Sequence, residues 1–175
     1  MLYVALLRAI NTGNRRIKMV DLRAIYESMG YADVATYIAT GNVIFDAPSP
    51  PLVAELEDRF LERFGFASEV FLRTAFDIRS IVEAVPWTGD DDVVEVSFLE
   101  REPQSAQARA LEATATEPEV LVVAGREVFF LRGLGRGVAT IHKESTSMRI
   151  LDMKMTRRGV STIKQIDARY VQPRM

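Results

Sequence analysis

The first part of the chain alternates between strand-like and helix-like spacing of its apolar positions. An apolar run over residues 2–8 predicts a strand with both sheet faces covered. Apolar residues then recur at helical spacing from Met19 to Met29, and Gly30 supplies a helix stop. Two β-rich runs follow at 34–38 and 43–45, and the Gly-Asn pair between them predicts a two-residue hairpin turn. This stretch is therefore predicted as strand, helix, strand, strand.

A second helix and a fourth strand complete this first pattern. Ser49 followed by Pro50 predicts a helix start, with serine as the cap and proline in the first turn. The apolar face of that helix has residues four apart, and Gly65 ends it: Leu52, Leu56, Phe60 and Phe64. Residues 69–73 then predict a strand. The order β-α-β-β-α-β is that of the ferredoxin-like split βαβ.

The rest of the chain repeats the strand and helix order without repeating the sequence. Thr74 and Asp77 predict a capping box, and the helix that it starts stops before Pro86. The later elements are predicted as a strand at 93–99, a helix at 103–113, strands at 120–123 and 128–131, a helix from Ser145 through Met155, and a short helix at 160–166.

These elements predict an α+β protein of two ferredoxin-like βαββ-type halves, a duplicated split βαβ, packed together. We expect residues 1–85 to form a βαββαβ half plus a helix. Residues 86–92 are expected to be a linker, and residues 93–175 a βαββα half with C-terminal helices.

Composition excludes several classes of chemistry. The chain has no cysteine, so disulfides, thiolate metal sites and cysteine nucleophiles are excluded. No stretch approaches the roughly 20 apolar residues of a membrane span, and a cytoplasmic location is expected by default. The net charge of -2 is unevenly spread, with basic residues at both ends and acidic ones in the middle. That distribution fits either internal complementarity or a basic patch for an anionic partner.

Several strings in the first 65 or so residues carry a family resemblance. They are Tyr3-Val4-Ala5-Leu6-Leu7-Arg8-Ala9-Ile10-Asn11, Ile17-Lys18-Met19, Asp21-Leu22, Thr36-Tyr37-Ile38 and Thr40-Gly41-Asn42-Val43-Ile44-Phe45. In order and spacing they resemble the bacterial family called domain of unknown function 1697. The resemblance implies a duplicated α+β fold and brings no established activity.

The chain departs from that family's pattern at a few positions. Ala9 stands where the family has glycine. Towards the C-terminus, Thr156, Arg157 and Thr162 are matched to the family motif Ala-Thr-x-Arg-Asn-Trp-x-Thr, with Arg158 and Gly159 where Asn and Trp are usual.

Chain direction predicts one candidate site at an edge of the first sheet. The segment from Arg8 to Lys18 and the turn Thr40-Gly41-Asn42 are expected to lie on the same edge. The candidate ligand-binding residues there are Arg8, Asn11, Thr12, Gly13, Asn14, Arg15, Arg16, Lys18, Thr40, Gly41 and Asn42. Basic side chains and backbone N–H groups near a helix start suit a phosphate or carboxylate. Equally, Asn, Thr and Gly are residues that build turns.

Other candidates have weaker patterns. Thr156 and Arg157 precede a short helix, where they fit either an anion site or a helix cap. His142 lacks a triad partner, and Asp90 to Asp92 lack the spacing of a calcium loop, so no metal is expected. The glycines at 133, 135 and 137 form no dinucleotide fingerprint, and no cofactor is expected.

Three classes of function stay open at this point. The first is a binding module for an anionic ligand such as phosphate, a nucleotide or nucleic acid. Tyr3 and Phe45 lie on strands expected to be buried on both faces, which argues against RNA stacking on an open sheet. The second is an enzyme acting on a small phosphorylated or carboxylated substrate at the same edge. The third is a structural or protein-interaction role, and the oligomeric state is left open.

Overall fold

The computed structural model describes residues 1–13, 15–87, 94–132 and 143–174. The chain forms two compact units, one made of Met1–Ser80 with Ile166–Met175, and the other of Ile81–Gln165. The division expected from the sequence groups the last ten residues with the second half, whereas their contacts group them with the first unit. Most of the expected linker, residues 88–92, lies outside the described ranges.

Fourteen helices and strands are found in the described residues. The first six are β1 (Leu2–Leu7), α1 (Met19–Ser28), β2 (Ala32–Tyr37), β3 (Asn42–Asp46), α2 (Val53–Phe64) and β4 (Val70–Thr74). The others are α3 (Ala75–Glu83), β5 (Val94–Leu99), α4 (Ser105–Glu112), β6 (Val120–Ala124), β7 (Glu127–Leu131), α5 (Glu144–Leu151), β8 (Met155–Gly159) and α6 (Val160–Ile166). A π-helical turn at Asp167–Val171 and a 3-10 turn at Gln172–Arg174 follow.

Each unit contains one four-stranded antiparallel sheet. The strand orders are β2-β3-β1-β4 and β6-β7-β5-β8, so the third strand of each unit lies between the two strands of a βαβ connection. This arrangement confirms the α+β fold class with two ferredoxin-like halves. In the described ranges no helix has the length and apolar character needed to cross a membrane.

Strand β1 is buried on both faces, as its unbroken apolar run predicts. Tyr3, Ala5 and Leu7 point towards α1 and α2 and belong to the core cluster of the first unit. Val4 and Leu6 alternate with them and are also fully buried. Since burying one leucine-sized side chain contributes about 2 kcal/mol, this strand is a main source of the unit's stability.

The C-terminal segment is fastened to the first unit through Asp167. This side chain is 1 % exposed, and its Oδ2 accepts hydrogen bonds from Arg79 at 2.9 Å and from Gln172 at 2.8 Å. Arg174 adds ion pairs with Asp33 and Asp46. These contacts explain why the last residues belong to the first unit although they follow the second one in the chain.

Helix α2 begins later than the sequence predicts. Its first residue is Val53 and its N-cap is Leu52, so the expected start at Ser49 and Pro50 is wrong. The reason is the second proline, Pro51, because a residue that precedes proline is pushed away from helical geometry. The helix ends as expected, with Gly65 in the left-handed conformation at φ 75°.

The helix expected from Ser145 through Met155 is shorter and is followed by a strand. Helix α5 ends at Leu151, and Asp152 takes a left-handed φ of 50°. Residues 155–159 then form β8, which pairs with β5. The second half is therefore βαββαβ rather than βαββα. The two adjacent arginines of β8 interrupt the apolar pattern by which a strand is predicted from the sequence.

The predicted capping box at α3 gives a direct test of local stability. The Asp77 N–H donates to Thr74 Oγ1 at 3.1 Å, and the Thr74 N–H donates to Asp77 Oδ2 at 2.8 Å. Thr74→Ala should lower the free energy of unfolding by about 1 kcal/mol, since it removes one capping acceptor. Ser49→Ala is the matched control and should change nothing, because α2 begins beyond it. Urea unfolding of both variants measures the difference, and an equal loss in both would contradict the assignment.

Candidate functional site

The loop after β1 and the β2–β3 hairpin meet at one end of the first sheet. The Asn11 side-chain amide donates to the Ala39 carbonyl at 2.8 Å, and the Leu7 N–H donates to the Gly41 carbonyl at 2.8 Å. We call residues 8–13, 15–18 and 38–41 the rim. Chain direction alone was sufficient to bring these two segments together.

The hairpin at the rim differs from the expected two-residue turn. Tyr37 lies opposite Asn42 in the sheet, so the loop contains the four residues from 38 to 41. Gly41 has a φ of 82°, and a Cβ there would lie 2.5 Å from the Ile10 side chain. Only glycine allows this close approach between hairpin and loop.

Two of the expected ligand donors are engaged in building the rim. Asn42 is fully buried in β3 and donates to the Tyr37 carbonyl at 2.9 Å and to Thr40 Oγ1 at 3.0 Å. Asn11 accepts the Ile17 N–H at 2.8 Å in addition to its bond to the hairpin. Both asparagines thus hold backbone segments in place.

The remaining polar members of the set lie on the surface of the rim. Thr12 and Thr40 are exposed, and the Thr12 hydroxyl donates to the Ala9 carbonyl at 3.2 Å. Gly13 is also exposed. Asn14 lies outside the described residues.

Three basic side chains of the rim are exposed to solvent. The Arg15 guanidinium lies 4.9 Å from the centre of the Phe66 ring, and Arg16 donates to the Asn11 carbonyl. Lys18 is the N-cap of α1 and makes no capping bond with its side chain. No side chain of the N-cap therefore satisfies the first N–H groups of α1, which directly follows these three cations in the chain.

Arg8 lies at the end of β1 and is partly buried. Its guanidinium forms an ion pair with Glu69 at 3.3 Å, and its Nε is buried with no acceptor among the described residues. Asp21, the acid closest in sequence to the basic loop, pairs instead with Arg63 on α2 at 3.0 Å. The carboxylates near the rim therefore have cationic partners outside the exposed trio.

The backbone of the rim alternates between left-handed and ordinary conformations. Ala9, Asn11 and Gly13 have φ values of 55°, 53° and 56°, whereas Ile10 and Thr12 between them do not take positive φ. Left-handed residues that alternate with right-handed helical ones are the pattern of a nest, an anion-binding arrangement of successive N–H groups. Ile38 across the rim also has a positive φ, of 49°.

The left-handed φ of Ala9 explains why glycine is usual there and predicts a stabilising change. A left-handed conformation costs an L-residue roughly 1–2 kcal/mol, and Ala9 is exposed, so no packing is lost on removing its methyl group. Ala9→Gly should raise the free energy of unfolding by about 1 kcal/mol, measured by chemical denaturation. A decrease would show that the loop does not keep this conformation.

Asn11 should be the most sensitive polar residue of the rim. Asn11→Ala removes the bonds to the Ala39 carbonyl and from the Ile17 N–H, and should cost about 1–2 kcal/mol in unfolding free energy. Thr12→Ala removes one exposed bond and should cost less than about 0.5 kcal/mol. Thermal unfolding of the pair distinguishes them, and equal losses would mean that Asn11 does not link the two segments.

Thr156 and Arg157 do not belong to the unit that contains the rim. They lie on β8 in the second unit, and not in a loop before a helix. Arg157 is 10 % exposed and contacts Ser97 and Glu95, while Thr156 accepts a bond from Arg158 at 2.9 Å. The expected helix cap at this place is therefore replaced by a strand, whereas the expected anion site stays a prediction.

The neighbouring Arg158 fits the family motif better than Arg157 does. In the motif the arginine stands two residues after the first threonine, which is the spacing from Thr156 to Arg158. Arg158 is 8 % exposed and also donates to the Arg157 carbonyl at 2.8 Å. Burial lowers the pKa of Arg158 to about 10, an effect that the Glu144 carboxylate partly opposes.

Sequence reasoning missed a second basic and aromatic group near the hairpin. The Arg169 guanidinium lies 5.3 Å from the centre of the Tyr37 ring, and the Tyr170 and Tyr37 rings are 6.4 Å apart. Tyr37 is the last residue of β2 and directly precedes the hairpin. No pattern in the sequence around residues 169 and 170 predicts that they contact the first unit. The contact forms because the C-terminal segment packs against that unit in the folded protein.

The aromatic rings at Tyr3 and Phe45 of the first sheet are not open to solvent. Tyr3 and Phe45 stack with ring centres 6.0 Å apart and lie inside the core cluster. The expectation that these strands are buried is confirmed.

The other candidates cannot be placed. His142, Asp90 to Asp92 and the glycines at 133, 135 and 137 lie outside the described residues. Within the ranges that are described, no three metal-ligating side chains come together.

Comparison with known proteins identifies a family and a fold. A family described as "Protein of unknown function (DUF1697)" matches residues 1–129. A search of curated proteins finds no match. Among solved structures, the conserved bacterial protein SP0830 from Streptococcus pneumoniae superposes with a TM-score of 0.77 at 22 % identity, covering 95 % of this chain and 96 % of that one. This likeness supports the duplicated fold.

Proposed function

The chain belongs to the DUF1697 family, whose description assigns no activity, and we propose on the geometry of the chain itself that it binds an anionic ligand at the rim. One observation carries the proposal. Arg15, Arg16 and Lys18 are exposed on a loop whose backbone φ alternates in sign from Ala9 to Gly13. Exposed cationic side chains beside a loop with alternating left-handed residues and the start of a helix favour a phosphate or carboxylate group.

Electrostatics favours an anion over a neutral ligand at this place. The start of helix α1 adds a partial positive charge to the three side-chain charges. Each exposed charge contributes little by itself, so an anion must contact several of them to bind measurably. A ligand with two or more negative charges, such as a diphosphate, satisfies this requirement better than a single carboxylate.

The rim is also organised before any ligand arrives. Asn11 links the loop to both the hairpin and the residue before the basic Lys18, and Gly41 packs against Ile10. Because these contacts fix the loop, little conformational entropy remains to be lost on binding. This preorganisation lowers the entropic cost of binding, so that exposed cations can bind a ligand measurably.

The test compares a rim variant with a variant of equal charge elsewhere. The rim variant is Arg15→Ala, Arg16→Ala and Lys18→Ala, and the control is Arg59→Ala, Arg109→Ala and Arg149→Ala, all exposed. Titration calorimetry of the full chain with pyrophosphate, ATP and a single-stranded RNA 10-mer should give a Kd at least tenfold weaker for the rim variant, as about 1.4 kcal/mol of lost contact requires.

The dependence of affinity on ionic strength and the affinity of the control variant show whether the rim charges bind the ligand. Affinity should fall as ionic strength rises, since solvent-exposed charges are screened. The control should bind like the parent protein. Equal affinity of the rim variant and the parent protein, or no binding of any probe at low salt, would overturn the proposal. Strong binding of RNA alone would indicate a nucleic-acid partner.

A further inference from the structure

One exposed ion pair in the first unit connects helix α2 to the start of helix α1. Arg63 Nη2 donates to Asp21 Oδ1 at 3.0 Å, and the two side chains are 56 % and 36 % exposed. An ion pair with this much contact to solvent contributes little to the stability of a fold. The position of Arg63 beside the rim is therefore its more informative property.

Asp21 holds the Arg63 guanidinium close to the basic end of the loop. Asp21 lies in the first turn of α1, and the N-cap of that helix is Lys18. The three residues from Lys18 to Asp21 correspond to about 4.5 Å along the helix axis. Arg63 is distant in sequence from the loop, but its charge lies within one helical turn of the Lys18 position.

A second contact orients the Arg63 guanidinium through an aromatic cluster that the loop shares. The Arg15 guanidinium lies 4.9 Å from the centre of the Phe66 ring, and that of Arg63 lies 5.8 Å from the centre of the Phe64 ring. The centres of these two rings are 6.3 Å apart. Because the face of an aromatic ring attracts a cation, each ring favours a guanidinium placed over it. Two independent contacts thus place Arg63 beside the cations of the rim.

Arg63 has both the donors and the space for a second anionic group. A guanidinium carries several N–H groups, and among the described residues that of Arg63 donates to Asp21 alone. Arg63 also lines an open groove of about 410 Å³ between α1 and α2, and Ala24 and Ser28 of α1 line it as well. An anion in this groove can accept from the guanidinium while the contact to Asp21 is kept.

We infer that Arg63 is a fourth cationic binding residue of the rim and gives it a preference for ligands with two linked phosphate groups. This inference rests on the proposed function. One phosphate contacts the cations of the loop, and the other accepts from Arg63, whose forked donors match phosphate oxygens. The Asp21 carboxylate stays beside the site and repels an anion, so it lowers the affinity.

Variants of the two partners distinguish direct binding by Arg63 from a structural role of the ion pair. Arg63→Ala should weaken the binding of pyrophosphate to the full chain about tenfold, because a charge-assisted hydrogen bond is lost, and that of inorganic phosphate about twofold or less. Asp21→Asn should tighten the binding of both anions about twofold, because it removes the repelling carboxylate. If the pair only supported the loop, both variants would weaken binding, since both break the same contact.

Arg59→Ala is the matched control for Arg63→Ala. Arg59 lies one turn before Arg63 on α2 and lines the same groove, but its carboxylate partner is Glu62 on its own helix and not a residue of α1. This variant removes the same charge from the same helix and should bind both anions like the parent protein. Titration calorimetry at low salt measures the four proteins side by side.

Three results would overturn this inference while the proposed function stands. They are a parent protein that binds another anionic probe but not pyrophosphate, an Arg63→Ala variant that binds pyrophosphate as tightly as Arg59→Ala does, and an Asp21→Asn variant that binds it more weakly than the parent protein. Equal pyrophosphate affinity of the parent protein and of the variant that lacks Arg15, Arg16 and Lys18 would overturn the proposed function and this inference together.

Discussion

The burial of β1 on both faces is the constraint on which the first unit depends. An unbroken apolar run cannot occupy an edge or face solvent without exposing leucine and valine side chains, so β1 must be central and covered. It pairs with β3 on one side and β4 on the other. Once its position and direction are fixed, the following loop must leave the sheet at the end where the β2–β3 hairpin turns, and this brings the rim together.

The sequence predicts elements well where local chemistry and packing agree. Helix α6 has the expected bounds of Val160–Ile166, and the capping box at Thr74 forms as predicted. Prediction fails where a local signal is overridden. Pro51 cancels the helix start at Ser49, and the arginines of β8 conceal a strand in which Met155 and Thr156 are buried.

The candidate site could be located from the sequence, but the role of its residues could not. Chain order alone brings residues 8–18 to the hairpin, whereas the use of Asn11 and Asn42 as links between backbone segments depends on three-dimensional contacts. An asparagine in a loop looks the same in the sequence whether its side chain binds a ligand or donates to a backbone carbonyl. The contribution of residues 169 and 170 could not be predicted from the sequence, because the 85 residues of Ile81–Gln165, which separate them from the first unit along the chain, form another unit.

Duplication shows which features the fold itself requires. Arg73 and Arg158 occupy equivalent positions, opposite Val4 and Val96, and each is buried and donates to the carbonyl of the residue before it. A buried arginine kept at the same register in both units is a property of the architecture. By the same reasoning, the strained loop after β1 is a property of the first unit. Features that the topology does not demand, and that cost stability where they occur, are the ones for which function is the better explanation.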